Sequence, residues 1–120
     1  MKVLVADDSS VMRKIVIRTL RQAGFGNLDI IEANDGAELV EMVKTQDPGL
    51  VLSDWNMPNM TGIEALRAVR GSGSTVTFGF VTSESSDLMR GEAEAAGAAF
   101  FVTKPFTADA FEQSIGAYVS

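Results

Sequence analysis

Three acidic residues, a threonine and a lysine each stand just past a short apolar run. Asp7 and Asp8 follow Val3-Leu4-Val5-Ala6, and Asp54 follows Leu50-Val51-Leu52-Ser53. Thr82 follows Phe78-Gly79-Phe80-Val81, and Lys104 follows Phe100-Phe101-Val102-Thr103. If the four runs are neighbouring parallel strands, their carboxyl ends share one crevice that holds carboxylates, a hydroxyl and an ammonium. Two unit charges about 4 Å apart repel by roughly 4 kcal/mol at an effective dielectric of about 20, so clustered carboxylates need a cation. Hard oxygen donors with few other ligands select Mg2+, or Mn2+ in its place. Asp54, between a buried strand and a loop, is placed to act as a nucleophile and form an aspartyl phosphate. A divalent ion would neutralise charge on the incoming phosphoryl oxygens. Lys104 would pair with the phosphoryl group as a point charge, and Thr82 would donate its hydroxyl. Each part alone has a plainer reading. Asp7 or Asp8 can cap a helix, Lys104 can be a surface lysine, and Thr82 can bond backbone. Capping does not account for two adjacent carboxylates and a third after another strand.

The elements that must position these residues are legible as alternating strands and helices. Ser9 and Ser10 are helix-capping types, and Val11, Met12, Ile15, Val16 and Leu20 recur at helical spacing. Arg13, Lys14, Arg18 and Arg21 are placed on the opposite, solvated face, and Gly24 and Gly26 end the helix. Asp29 to Ala33 reads as a second strand, and Asp35 caps a helix carrying Leu39, Val40 and Val43 up to Pro48-Gly49. Leu50 to Ser53 is the third strand, and Ile63, Leu66 and Val69 share one face of a short helix. Val76 to Val81 is the fourth strand, and Asp87 to Ala96 is a helix rich in alanine, expected to pack loosely. Ala99 to Val102 is the fifth strand, and Thr107 or Asp109 opens a last helix bearing Phe111, Ile115 and Tyr118. Strands alternating with helices imply an α/β fold, a parallel sheet with helices on both faces. Ligands in such sheets bind at the carboxyl ends of the strands, near the topological switch point.

Composition narrows the function. The 120 residues fit one domain spanning 1–120, with no output domain beside it. There is no cysteine, which excludes disulfides and thiolate metal sites, and no histidine, which excludes the usual general base and zinc ligand. A net charge of −6 argues against nucleic acid as a partner. No apolar stretch approaches the roughly 18 residues that cross a bilayer. The expectation is a cytoplasmic protein with no membrane association.

The ordered set Asp7-Asp8, Asp54 with Met57-Pro58 and Gly62, Thr82-Ser83, and Lys104-Pro105-Phe106 resembles the receiver domain of two-component response regulators. The segment from Asp54 to Met60 is similar to the stand-alone chemotaxis regulators in particular. The resemblance covers essentially the whole chain and implies a flavodoxin-like sheet of strand order 2-1-3-4-5 with five helices. It further implies that Asp54 is the phosphoacceptor. Asp8, Asp54 and the backbone carbonyl of Asn56 would bind Mg2+, and Asp7 would act largely through water. Lys104 would hold the phosphoryl group and the Lys104–Pro105 bond would be cis, while Thr82 would follow the group inward on activation. Asn56 and Glu84 would border the hydrolytic water and tune the lifetime of the phosphate. Phe101 stands where chemotaxis-type members often carry tyrosine; it can swing between rotamers as a switch, but has no hydroxyl. Thr61 stands where acidic residues are common.

On this resemblance the chain is a monomeric switch, phosphorylated on Asp54 by a histidine kinase or a small phosphodonor. A shift between inactive and active shapes would then change binding of a downstream protein, such as a flagellar motor component. The basic face of the first helix could dock the phosphodonor. A phosphorelay or phosphate-sink role and a phosphorylation-independent interaction module are the alternatives. A Mg2+-dependent phosphatase lacks support, because Asn56 replaces the aspartate it would need two residues after Asp54. The chain is thus expected to catalyse only its own phosphorylation and dephosphorylation.

Overall fold

The computed structural model describes residues 1–84 and 86–119. Strand β1 (Lys2–Ala6) leads into helix α1 (Ser10–Gln22), followed by β2 (Asp29–Ala33), α2 (Gly36–Gln46), β3 (Leu50–Ser53) and α3 (Gly62–Gly71). Then come β4 (Thr77–Thr82), α4 (Asp87–Ala95), β5 (Phe100–Thr103), α5 (Ala108–Ile115) and a single 3-10 turn (Gly116–Tyr118). The strands form one parallel sheet in the order β2-β1-β3-β4-β5, as expected.

Period-2 alternation sorts the strand residues between two cores. Leu4, Ala6, Val51, Phe78 and Phe80 face α2, α3 and α4, where Leu39, Val43, Ile63, Leu66 and Ala93 meet them. Val3, Val5, Leu50, Leu52, Val81 and Val102 face α1 and α5, against Val16, Leu20, Phe111 and Ile115. Both faces are covered, so the strands read as continuous apolar runs. Of α4 only Ala93 is buried, in keeping with the loose packing its alanines imply.

Side-chain caps start all five α-helices of the described residues. Ser9 accepts from Met12 N at 3.2 Å, so Ser10 is the first helical residue. Thr61 closes a reciprocal capping box with Glu64, which gives a local reason for a threonine there. Ser86 caps α4, and Thr107, not Asp109, caps α5. Tyr118 lies beyond α5 in the 3-10 turn, its ring 5.8 Å from that of Phe100. The edges of two strands differ from the sequence pattern. β4 runs to Thr82 and β5 to Thr103, each one residue further than the apolar run, because threonine pairs in the ladder as readily as valine.

Asp35 caps α2 through Oδ1, which accepts from Glu38 N at 2.8 Å, while Oδ2 accepts from Asn59 Nδ2 at 2.7 Å. The Glu38 amide bond, then the Asn59 bond, holds this carboxyl below its ordinary 3.8. A depressed carboxylate binds fewer protons folded than unfolded near its titration. Its stabilisation is therefore full above the unfolded value and is lost as pH falls through the lower folded one. Asp35→Ala is expected to cost about 1 kcal/mol at neutral pH. The gap to wild type should close in melts run progressively below pH 3.8; an equal gap at all pH values would refute the charged cap.

Candidate functional site

Strand register brings the chemistry to one edge. Ala6, Ser53, Phe80 and Phe101 stand side by side across β1, β3, β4 and β5. Asp7 and Asp54 lie one residue past that row, Thr82 two and Lys104 three. One oxygen from each of Asp7, Asp8 and Asp54 lies within 4.8 Å of the others. Lys104 Nζ donates to Asp7 Oδ2 at 3.1 Å and to Asp54 Oδ2 at 3.3 Å, spanning the crevice. Thr82 is fully buried at its floor, and its hydroxyl accepts from Glu84 N at 3.3 Å.

Asp7 is fixed at every polar atom. Its amide donates to Ala33 O, its Oδ1 accepts from Ser9 N at 2.9 Å, and Lys104 meets Oδ2. Its carbonyl accepts from Arg13 Nη1 at 2.6 Å. Arg13 is therefore not on the solvated face where helical spacing places it. It is buried beneath the end of β1, and its Nε is 2.8 Å from Glu32 Oε1 on β2. A guanidinium long enough to satisfy a carbonyl and a carboxylate together leaves water when both partners are supplied by the sheet edge. Lys14, Arg18 and Arg21 do remain exposed. Asp8 is exposed and has no side-chain partner among the described residues.

Asp54 sits half-buried, with Oδ1 accepting from Trp55 N at 2.7 Å. Burial pushes its carboxyl above the ordinary carboxylate range, Lys104 opposes that, and Asp7 adds to it. A carboxylate held against its solvation and beside a second one is a basic oxygen that gains from a cation. All the donors are hard oxygens and one cation can bridge the acidic trio, so the residues fit a divalent metal.

The remaining sequence candidates flank this centre. The Asn56 side-chain amide donates to Glu84, closing a polar link beside Asp54. The Lys104–Pro105 bond is cis, as expected. Phe100 and Phe101 point to opposite faces. Phe100 fills the space above Gly79, on the α5 side, while Phe101 packs 6.0 Å from Phe80 and 6.3 Å from Trp55. Arg90 lies over the Phe101 ring at 4.7 Å and donates to Thr103 Oγ1 at 2.9 Å. Trp55 is buried, its ring tilted against that of Phe80 with centroids 5.0 Å apart. Charge pattern alone gave no sign of the Arg13 brace or the Arg90 cover, since both need tertiary neighbours.

Gly62 shows how tightly the loop after Asp54 is folded. Its amide donates to Trp55 O at 2.8 Å, and a Cβ there would stand 2.1 Å from the Asp54 carbonyl oxygen. Only glycine permits this approach.

The comparisons with known proteins agree with this geometry. The family model for the response regulator receiver domain matches residues 3–116. The chain is 40% identical over 117 residues to the chemotaxis protein CheY of Pseudomonas aeruginosa, covering 96% of this chain and 93% of that one. It is 38% identical to CheY-3 of Vibrio cholerae, covering 96% and 88%. The structure of the chemotaxis response regulator CheY4 of Vibrio cholerae superposes with a TM-score of 0.84 at 32% identity, covering 98% and 97%. No helix among the described residues is long and apolar enough to cross a membrane. On sequence, fold and the clustered acidic residues alike, the chain belongs to the response regulator receiver domain family.

Proposed function

We propose that the chain is a chemotaxis-type phosphorylation switch that takes a phosphoryl group from a histidine kinase onto Asp54. The observation that carries the reading is the convergence of Asp7, Asp8 and Asp54 with the Lys104 ammonium bridging two of them. Asp7, Asp8, Asp54 and the Asn56 carbonyl would hold Mg2+, which when bound supplies charge neutralisation for the phosphoryl oxygens. Asp54 attacks phosphorus through one carboxylate oxygen. The new O–P bond forms as the bond to the donor nitrogen breaks, and the leaving imidazole keeps the electron pair and takes a proton. Lys104 is close enough to exchange its carboxylate partners for the phosphoryl group. Thr82, at the buried floor, is the nearest hydroxyl donor from β4. Asn56, two residues past Asp54, is linked to Glu84, and the pair would border the path of the hydrolytic water and tune the lifetime of the acyl phosphate.

The output would be a changed surface on α4, β5 and α5, read by a protein such as a flagellar motor component. Phe101 would be its mobile part, sitting inward here under Arg90. The chain would act as a monomer in the cytoplasm, as a single receiver domain.

Two readouts test the reading. Mg2+ should change Trp55 fluorescence, because the Trp55 amide is bonded to Asp54 and its ring lies in the adjoining core. A small phosphodonor with Mg2+ should add one phosphoryl mass to the intact protein, mapped to Asp54. Mg2+ silence together with no added mass would sink the switch and favour a phosphorylation-independent module.

A further inference from the structure

The loop from Trp55 to Thr61 carries the phosphoacceptor's neighbours but belongs to no helix or strand. It is tied at its base by Trp55 N to Asp54 Oδ1 and Gly62 N to Trp55 O. At its crest, Asn59 has φ 68°, a left-handed conformation that asparagine tolerates better than most residues. Its amide donates to Asp35 Oδ2 at 2.7 Å. One residue on, the Met60 carbonyl accepts from Gly36 N at 3.2 Å, at a spot where a Cβ on Gly36 would stand 2.3 Å from that oxygen. Two consecutive loop residues are thus fastened to two consecutive residues at the start of α2. Asp35 serves both sides, capping the helix with one oxygen and gripping the loop with the other.

We infer that Asp35 and Asn59 form a bolt that presets the phosphoacceptor loop, making both positioning residues for the metal and phosphoryl site. The inference rests on Asp54 being the acceptor and on the Asn56 carbonyl being a metal donor. Asp35 and Asn59 touch neither. Their effect runs through the loop: with the bolt closed, Asn56 is held beside Asp54 before any ligand arrives. With it open, the loop samples other shapes, and the apparent affinity falls by the fraction of time spent in the competent one.

Asn59→Gly is the cleanest probe. Glycine adopts the positive φ without strain, so the variant removes the side-chain bond and leaves the turn permitted. The Mg2+ dissociation constant, followed by Trp55 fluorescence on the folded protein, should rise about three- to tenfold, the scale of one ordinary hydrogen bond in exposed surroundings. Asp35→Asn combined with Asn59→Asp exchanges donor and acceptor while keeping a good helix cap, and should return the constant toward wild type. Thermal melts on the same samples separate the roles. A merely structural bond lowers the melting temperature and leaves the Mg2+ constant unchanged, which would overturn the bolt. Failure of the exchange to restore binding would overturn it as well. Wild-type protein that does not respond to Mg2+ would instead overturn the reading of the site on which the bolt depends.

Discussion

Asp54→Asn is expected to abolish phosphorylation and, in metal-free buffer, to melt at a higher temperature than wild type. The first half follows from chemistry: an amide nitrogen and carbonyl do not replace a carboxylate nucleophile, so no phosphoryl mass should be added by any donor. The second half follows from the electrostatics of the crevice. Burial, followed by the charge of Asp7, raises the Asp54 carboxyl above its ordinary 3.8 against the pull of Lys104. A raised carboxyl binds more protons folded than unfolded between the two values. Wild-type stability therefore falls as pH rises from 3.8 through the folded value and stays lower above it. Asparagine does not titrate, so that slope should vanish in the variant. The remaining carboxylates also lose a repelling neighbour. Saturating Mg2+ should reverse the order, because the ion stabilises whichever protein binds it more tightly. Melts in chelator and in Mg2+ across pH 4 to 8 check this. A variant that melts lower than wild type in chelator would show that Asp54 is a net structural support and not a strained functional group.

Gly62→Ala should be among the most damaging single-methyl changes in the described residues. The new Cβ would meet the Asp54 carbonyl oxygen at 2.1 Å, Phe80 Cε1 at 2.8 Å and the Asp54 carbonyl carbon at 3.2 Å. Backbone cannot step aside as a flexible side chain can, and Phe80 is fully buried among Trp55, Phe78 and Phe101. Overpacking of this kind costs about 3 kcal/mol, a melting shift of roughly 10 °C for a domain of this size. The displaced carbonyl belongs to Asp54, so Mg2+ binding should weaken in whatever protein remains folded. Gly91→Ala supplies the contrast. Gly91 lies inside α4 with open space around it, and alanine there should stabilise by about 0.5–1 kcal/mol. If Gly62→Ala melts within a degree or two of wild type, the loop has more room than the geometry allows.

Much of this architecture was legible because it depends on local pattern. Apolar runs marked four of the five strands, and Ser9, Asp35 and Thr107 marked helix starts, since a capping side chain bonds to backbone only three residues away. The site was legible for a related reason. In a parallel sheet the register puts every strand end level, so residues spread from Asp7 to Lys104 can be gathered without knowing any side-chain contact. The sequence strand order itself came only through resemblance. Contacts between elements far apart in the chain stayed hidden. Arg13 sits at a helical position that spacing assigns to solvent, and only Glu32 and the Asp7 carbonyl explain its burial. Trp55 is a loop residue whose burial is evident only with Phe80 beside it. Asn59 carries no sign in sequence that its amide reaches back to Asp35.

The aromatic packing beside Asp54 has a mechanical meaning. Trp55, next in chain to Asp54, leans on Phe80; Phe80 leans on Phe101; and Phe101 lies under the Arg90 guanidinium. Rings packed side by side in this way have little slack at the buried end, where Phe80 is fully enclosed. They form a continuous row that begins beside Asp54 and ends at Phe101, half-buried next to α4. Of the three rings, only the last has solvent on one side. On the proposed reading, a charge added at Asp54 would therefore meet its first give at the far end of the row, at Phe101 and its Arg90 cover.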